Sequence, residues 1–83
     1  MKLGEGILKI LGKVYEPDAL VEKVYQGYDL AFKTDSEGRP VLLFLGKKQE
    51  NGQIKGERFA RRYKTDAGGI VIKDHWDHKG KAT

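Results

Sequence analysis

Apolar residues near the start of the chain recur every three or four positions. Leu3, Ile7, Ile10 and Val14 form one stripe, and Leu8, Leu11 and Tyr15 widen it. Lys2, Glu5, Lys9, Lys13 and Glu16 lie mostly off that stripe. This rhythm predicts an amphipathic helix over 3–15. Gly4, Gly6 and Gly12 weaken it, since an interior glycine costs up to about 1 kcal/mol relative to alanine. The helix must end before Pro17, because the residue preceding a proline avoids the α region.

Pro17-Asp18 suits a short helical turn before the chain extends, the alternative being a strand entered near Leu20. From Val24 the period becomes two. Val24, Tyr28, Leu30 and Phe32 are expected on one face, and Tyr25, Asp29 and Lys33 on the other. Residues 41–45 are apolar on both faces, which predicts a central strand covered on both sides. Asp35-Ser36-Glu37-Gly38, Glu50-Asn51-Gly52-Gln53 and Asp66-Ala67-Gly68-Gly69 read as turns. Strands are therefore predicted over 24–34, 40–48, 53–64 and 69–76, with Ile70, Ile72 and Trp76 sharing a face. A small polar tail over 79–83 is expected to fray.

These elements predict an α+β fold: an N-terminal amphipathic helix packed on a four-stranded antiparallel β-meander, curled toward a small barrel or covered by a partner. The intervals between turns are too short for crossover helices, so sequential strands should pair antiparallel. At 83 residues the chain reads as a single domain, 1–83, with a modest core. It holds no cysteine, so no disulfide braces it and no thiol serves as nucleophile or ligand. The first residues are too charged for a membrane span or a secretory signal, and a cytoplasmic protein is expected.

Charge changes this picture only locally. The formal net charge is +4. Residues 47–64 alone carry +5, with Lys47, Lys48, Lys55, Arg58, Arg61, Arg62 and Lys64 against only Glu50 and Glu57, and the rest of the chain nets −1. Alternation puts Phe59, Arg61 and Tyr63 on one side of that strand and Arg58, Ala60 and Arg62 on the other. Arginines interleaved with exposed rings would contact phosphates and stack bases. With Phe59 and Tyr63 in the core, the same pattern is an ordinary strand with a solvated face. Arg58, Phe59, Arg61, Arg62 and Tyr63 are the candidate ligand surface.

Asp74-His75-Trp76-Asp77-His78 holds both histidines of the chain. His75, Asp77 and His78 are candidate metal ligands by side-chain chemistry. On a strand the two imidazoles point to opposite faces and would converge only if the chain turned after Trp76. The structural alternative is a strand end anchored by Trp76, with its charged neighbours paired to the basic strand. Ser36 is the only serine and lies in a turn, so a hydrolase triad has no support. No cofactor is implied.

The pattern favours a small non-enzymatic module acting through a protein partner or a homo-oligomer. Nucleic-acid or polyanion binding through the basic strand is the alternative, followed by metal binding through the Asp-His-Trp-Asp-His segment. A membrane partner is not expected.

Overall fold

The computed structural model describes residues 3–82. One short helix, α1 (Glu5–Leu11), precedes five strands: β1 (Leu20–Tyr25), β2 (Tyr28–Thr34), β3 (Pro40–Lys48), β4 (Ile54–Thr65) and β5 (Val71–Lys81). They form a single antiparallel sheet in the order β1-β2-β3-β4-β5. The sheet stays open: β1 and β5 are its two edges and do not pair with each other.

The helix is shorter than its apolar rhythm suggests because glycines bracket it. Gly4 and Gly12 occupy its two caps. Inside it, Gly6 makes room for the Tyr25 ring, which a Cβ at that position would strike. Residues 17–19 form a turn rather than a helical segment, and Thr34 holds it. The buried Thr34 hydroxyl donates to the Glu16 carbonyl at 2.6 Å and accepts from the Ala19 amide at 2.9 Å.

The strand expected over 24–34 is two strands, not one. Gln26 and Gly27 have φ of 48° and 81°, the left-handed pair that a two-residue hairpin requires. Tyr25 therefore pairs with Tyr28, and the side-chain facing resets across the turn. Val24 falls on the face opposite Leu30 and Phe32, while Tyr25 joins them against the helix, reversing the expected facing of both.

The other three reversals share one design. Asp35, Gln49 and Asp66 each donate a backbone N–H to the carbonyl four residues on, at 2.9, 2.7 and 2.9 Å. The last of the three residues between each bonded pair is Gly38, Gly52 or Gly69, with φ of 83°, 86° and 84°. These are three-residue loops closed by a glycine in the left-handed region. Residues 79–82 are also ordered. β5 runs to Lys81, and the Ala82 amide donates to the Gly56 carbonyl at 2.9 Å, so residues 79–81 belong to the sheet rather than to a fraying tail. Thr83 lies outside the described residues.

The core lies between α1 and one face of the sheet. Ile7 and Leu11 pack on Leu30, Phe32, Leu43, Leu45 and Phe59, with Leu3, Ile10, Tyr15, Val21, Tyr25 and Trp76 around them. Tyr15 fixes the helix exit. Its ring meets Phe32 edge-on at 5.0 Å and its hydroxyl donates to the Ile10 carbonyl at 2.6 Å. Burial pushes the Tyr15 hydroxyl above the ordinary tyrosine range.

Among the described residues no element crosses the other face, but the sheet curls toward it. Gly46 and Gly56 sit opposite each other on β3 and β4, and a Cβ on either would collide with the facing backbone. Their closeness accompanies a bend that brings the β3–β4 loop and Ile54 toward Leu20, Ala31 and Phe44. Lys48 on β3 reaches Glu22 on β1 at 2.8 Å, bridging the mouth of the curl.

Candidate functional site

Alternation along β4 distributes the basic segment between two environments. Phe59 and Arg61 point toward the helix, and Arg58 and Arg62 point away from it. The Phe59 ring is 1% exposed and belongs to the core. The Arg61 side chain is 8% exposed and fully engaged. Its Nε and Nη2 donate to the two oxygens of Asp74 at 2.7 and 2.9 Å, and its Nη1 donates to the carbonyls of Pro40 and Leu11 at 3.2 and 3.4 Å. A guanidinium thus satisfies a free carbonyl at the end of α1. The Arg61 hydrogen bonds, followed by its charge, hold the Asp74 carboxyl below the usual range.

Tyr63 is half-buried beside two guanidiniums. Arg39 lies 4.2 Å and Arg61 5.1 Å from its ring centroid. Neither ring of the basic strand is thus a free stacking surface. Arg58 is exposed. Arg62 is exposed too, with Nε 2.6 Å from Asp77 Oδ2. That approach is off line, and the Asp77 oxygen, closed off from solvent, receives no hydrogen bond.

The two histidines stay apart, because β5 continues straight past Trp76. His75 lies on the face away from the helix, with Nε2 3.1 Å from Asp77 Oδ1. His78 lies on the helix side, with Nε2 2.7 Å from Glu57 Oε2 and its ring 5.0 Å from Phe59. The hydrogen bond from His78 draws the Glu57 carboxyl below its ordinary value. Among the described residues, no three His, Asp or Glu side chains converge on one point as a metal site requires.

The face away from the helix is the larger feature. Following the register, Leu20, Glu22 and Val24 of β1 lie beside Asp29, Ala31 and Lys33 of β2, then Leu42, Phe44 and Lys48 of β3. β4 adds Ile54, Arg58, Ala60, Arg62 and Lys64, and β5 adds Lys73, His75 and Asp77. An apolar strip thus runs from Leu20 through Ala31, Phe44 and Leu42 to Ala60. The curl shelters Ala31 and Ile54 but leaves a hollow of about 270 Å³ between Leu20, Phe44 and the β3–β4 loop. Six cations and three carboxylates surround the strip. Glu22 holds Lys48, and Asp77 faces Arg62. Among the described residues, no carboxylate lies within ion-pair distance of Lys33, Arg58, Lys64 or Lys73.

Leu42, Phe44, Lys33, Lys64 and Lys73 were not among the residues picked out from the sequence. The signal for Leu42 and Phe44 was the two-sided apolarity of residues 41–45, and that for Lys64 was the basic segment it belongs to. A second hollow, of about 450 Å³, lies on the helix side between α1 and β5, lined by Leu3, Leu8, Leu11 and Trp76 and ending at the Arg61–Asp74 pair. No helix of the described residues is long and apolar enough to cross a membrane. No family model, curated protein or solved structure matches this chain.

Proposed function

We propose that this protein is a non-enzymatic interaction module whose uncovered sheet face docks an acidic protein surface. One observation carries this reading: β3 is as apolar on the uncovered side, with Leu42 and Phe44, as on the side that builds the core. A sheet with one solvated face normally carries polar residues there. A contiguous apolar patch rimmed by charge is the usual composition of an interaction surface.

Charge selects the kind of partner. The rim is net positive, and Lys33, Arg58, Lys64 and Lys73 have no carboxylate partner among the described residues. Two copies stacked through this face would set like charges together, which is unfavourable. An apolar surface bordered by Asp and Glu fits instead. The cations also suit a polyanion, but the rings that would stack bases are engaged elsewhere: Phe59 is in the core and Tyr63 lies beside two guanidiniums.

The test is to pan a displayed random peptide library against the folded protein and against its Arg58→Glu variant. Recovered peptides should combine acidic residues with large apolar ones, and Arg58→Glu should weaken their binding about tenfold. Recovery of basic peptides, or of none, would refute the reading. Retention of a single-stranded oligonucleotide at low salt, lost as salt rises, together with no peptide recovery, would shift the assignment to polyanion binding.

A further inference from the structure

We propose that β5 is a self-pairing edge through which two copies of this chain join antiparallel, centred on Trp76, into one ten-stranded sheet. The inference concerns the edge of the sheet, and it stands whether or not the uncovered face has a partner.

β5 is the longer of the two edge strands, with eleven residues against six in β1. Only its β4 side is paired, so its other side presents unpaired backbone groups, a template for another strand. The sequence along it is self-complementary. In an antiparallel pair centred on Trp76, Asp74 of one copy lies opposite His78 of the other, and His75 lies opposite Asp77. Each pairing occurs twice by the two-fold symmetry. Both members of each pair share a face, because the pairing preserves alternation. Four carboxylate–imidazole juxtapositions thus flank the axis. His78, whose Nε2 already meets Glu57, binds the facing Asp74 when its ring carries both protons. Opposite charges facing each other stabilise cross-strand pairs.

The two Trp76 side chains meet at the axis on the helix side. Each is half-buried at the hollow between α1 and β5, beside Leu3 and Leu8. Neighbouring registers are worse. A shift of two residues one way sets Asp77 against Asp77. The same shift the other way sets His75 against His75 and removes all four carboxylate–imidazole juxtapositions. Lys73 falls opposite Lys79 at the ends of the matched segment, and Gly80, with φ of 98°, marks the bulge where the strand departs from regular pairing. The lysines and the bulge confine the contact to residues 74–78, as edge protection does elsewhere.

The absence of cysteine makes the register directly testable. Directly opposed residues have Cα atoms about 4.5–5.5 Å apart, within disulfide range. His75→Cys and Asp77→Cys proteins, mixed in equal amounts and oxidised, should link to each other several-fold more than either links to itself. Trp76→Cys should link to itself, and Leu20→Cys on the opposite edge should not. Unmodified protein should sediment at twice the 9.4 kDa chain mass as concentration rises. A constant mass of 9.4 kDa, or equal cross-linking at Leu20→Cys, would overturn the interface. Efficient self-linking of His75→Cys would overturn the Trp76-centred register.

Discussion

Two faces of one sheet, built from the same five strands, meet different fates. On the helix side Leu11, Phe32 and Leu43 are 0% exposed, and the polar groups among them are paired. On the other side Leu20 and Val24 are 59% and 72% exposed. Alternation alone does not explain this, because β3 supplies large apolar side chains to both sides. The difference is the covering layer. A seven-residue helix shields one face, and on the other only the curl of the sheet shelters Ala31 and Ile54. Apolar surface that folding leaves uncovered gains its burial free energy only when a partner covers it.

This contrast can be broken in descending order of effect. Phe32→Ala should cost about 3–5 kcal/mol in urea unfolding, as expected for emptying a buried aromatic site. Phe44→Ala on the uncovered side should cost about 1 kcal/mol, because a half-buried ring loses less on truncation. Comparable losses would mean that the sheet has two cores. Next come the neighbouring arginines of β4. Arg61→Ala removes a buried guanidinium from Asp74 and from two backbone carbonyls, a loss of about 2–3 kcal/mol for charged hydrogen bonds. Arg62→Ala, at an exposed ion pair, should cost less than about 1 kcal/mol in the same assay.

Acid should act through the helix-side carboxyls. The pKa values of Asp74 and Glu57 are lowered in the folded protein. Their contribution is therefore fully present above the unfolded carboxyl range, about pH 4, and is lost as pH falls through the lower folded values. The melting temperature should drop between pH 5 and pH 3, both approximate bounds of that window, and Asp74→Asn should flatten the drop. The smallest effect belongs to the turn between β1 and β2. Gln26→Asn places a residue that tolerates the left-handed region before Gly27, and should raise stability by about 0.5 kcal/mol.

Much of the fold was legible because its turns carry glycine at a fixed place. Gly38, Gly52 and Gly69 each close a loop that opens on a polar residue, Asp35, Gln49 or Asp66, and mark three reversals in the expected positions. The first hairpin was hidden because glutamine carries no such signal before Gly27, so residues 24–34 read as one strand and most of β1 as the turn before it. That single omission also misplaced Val24 and Tyr25, since a two-residue turn resets which side chains face the core. The open sheet and the ordered end of β5 were hidden for another reason. Closure and the pairing of residues 79–81 depend on long-range geometry, and the composition of that segment resembles a tail.

The candidate residues divide by depth. Alternation correctly separated Phe59 and Arg61 from Arg58 and Arg62, because a regular strand enforces it. It gave no means of knowing which side the helix would cover, so Arg61 looked like surface although it is buried against Asp74 and the end of α1. His75 and His78 were expected on opposite faces of a strand, and the straight course of β5 past Trp76 leaves them so.

Leu42 and Leu43 are adjacent on β3 and point to opposite faces, which makes them the most direct probe of the contrast. In a chain without cysteine, Leu42→Cys and Leu43→Cys can be labelled singly with a thiol reagent under native conditions. The expected outcome is that Leu42→Cys reacts readily in the folded protein, whereas Leu43→Cys reacts only through unfolding and slows as the protein is stabilised. Equal protection of both positions in the isolated protein would contradict it.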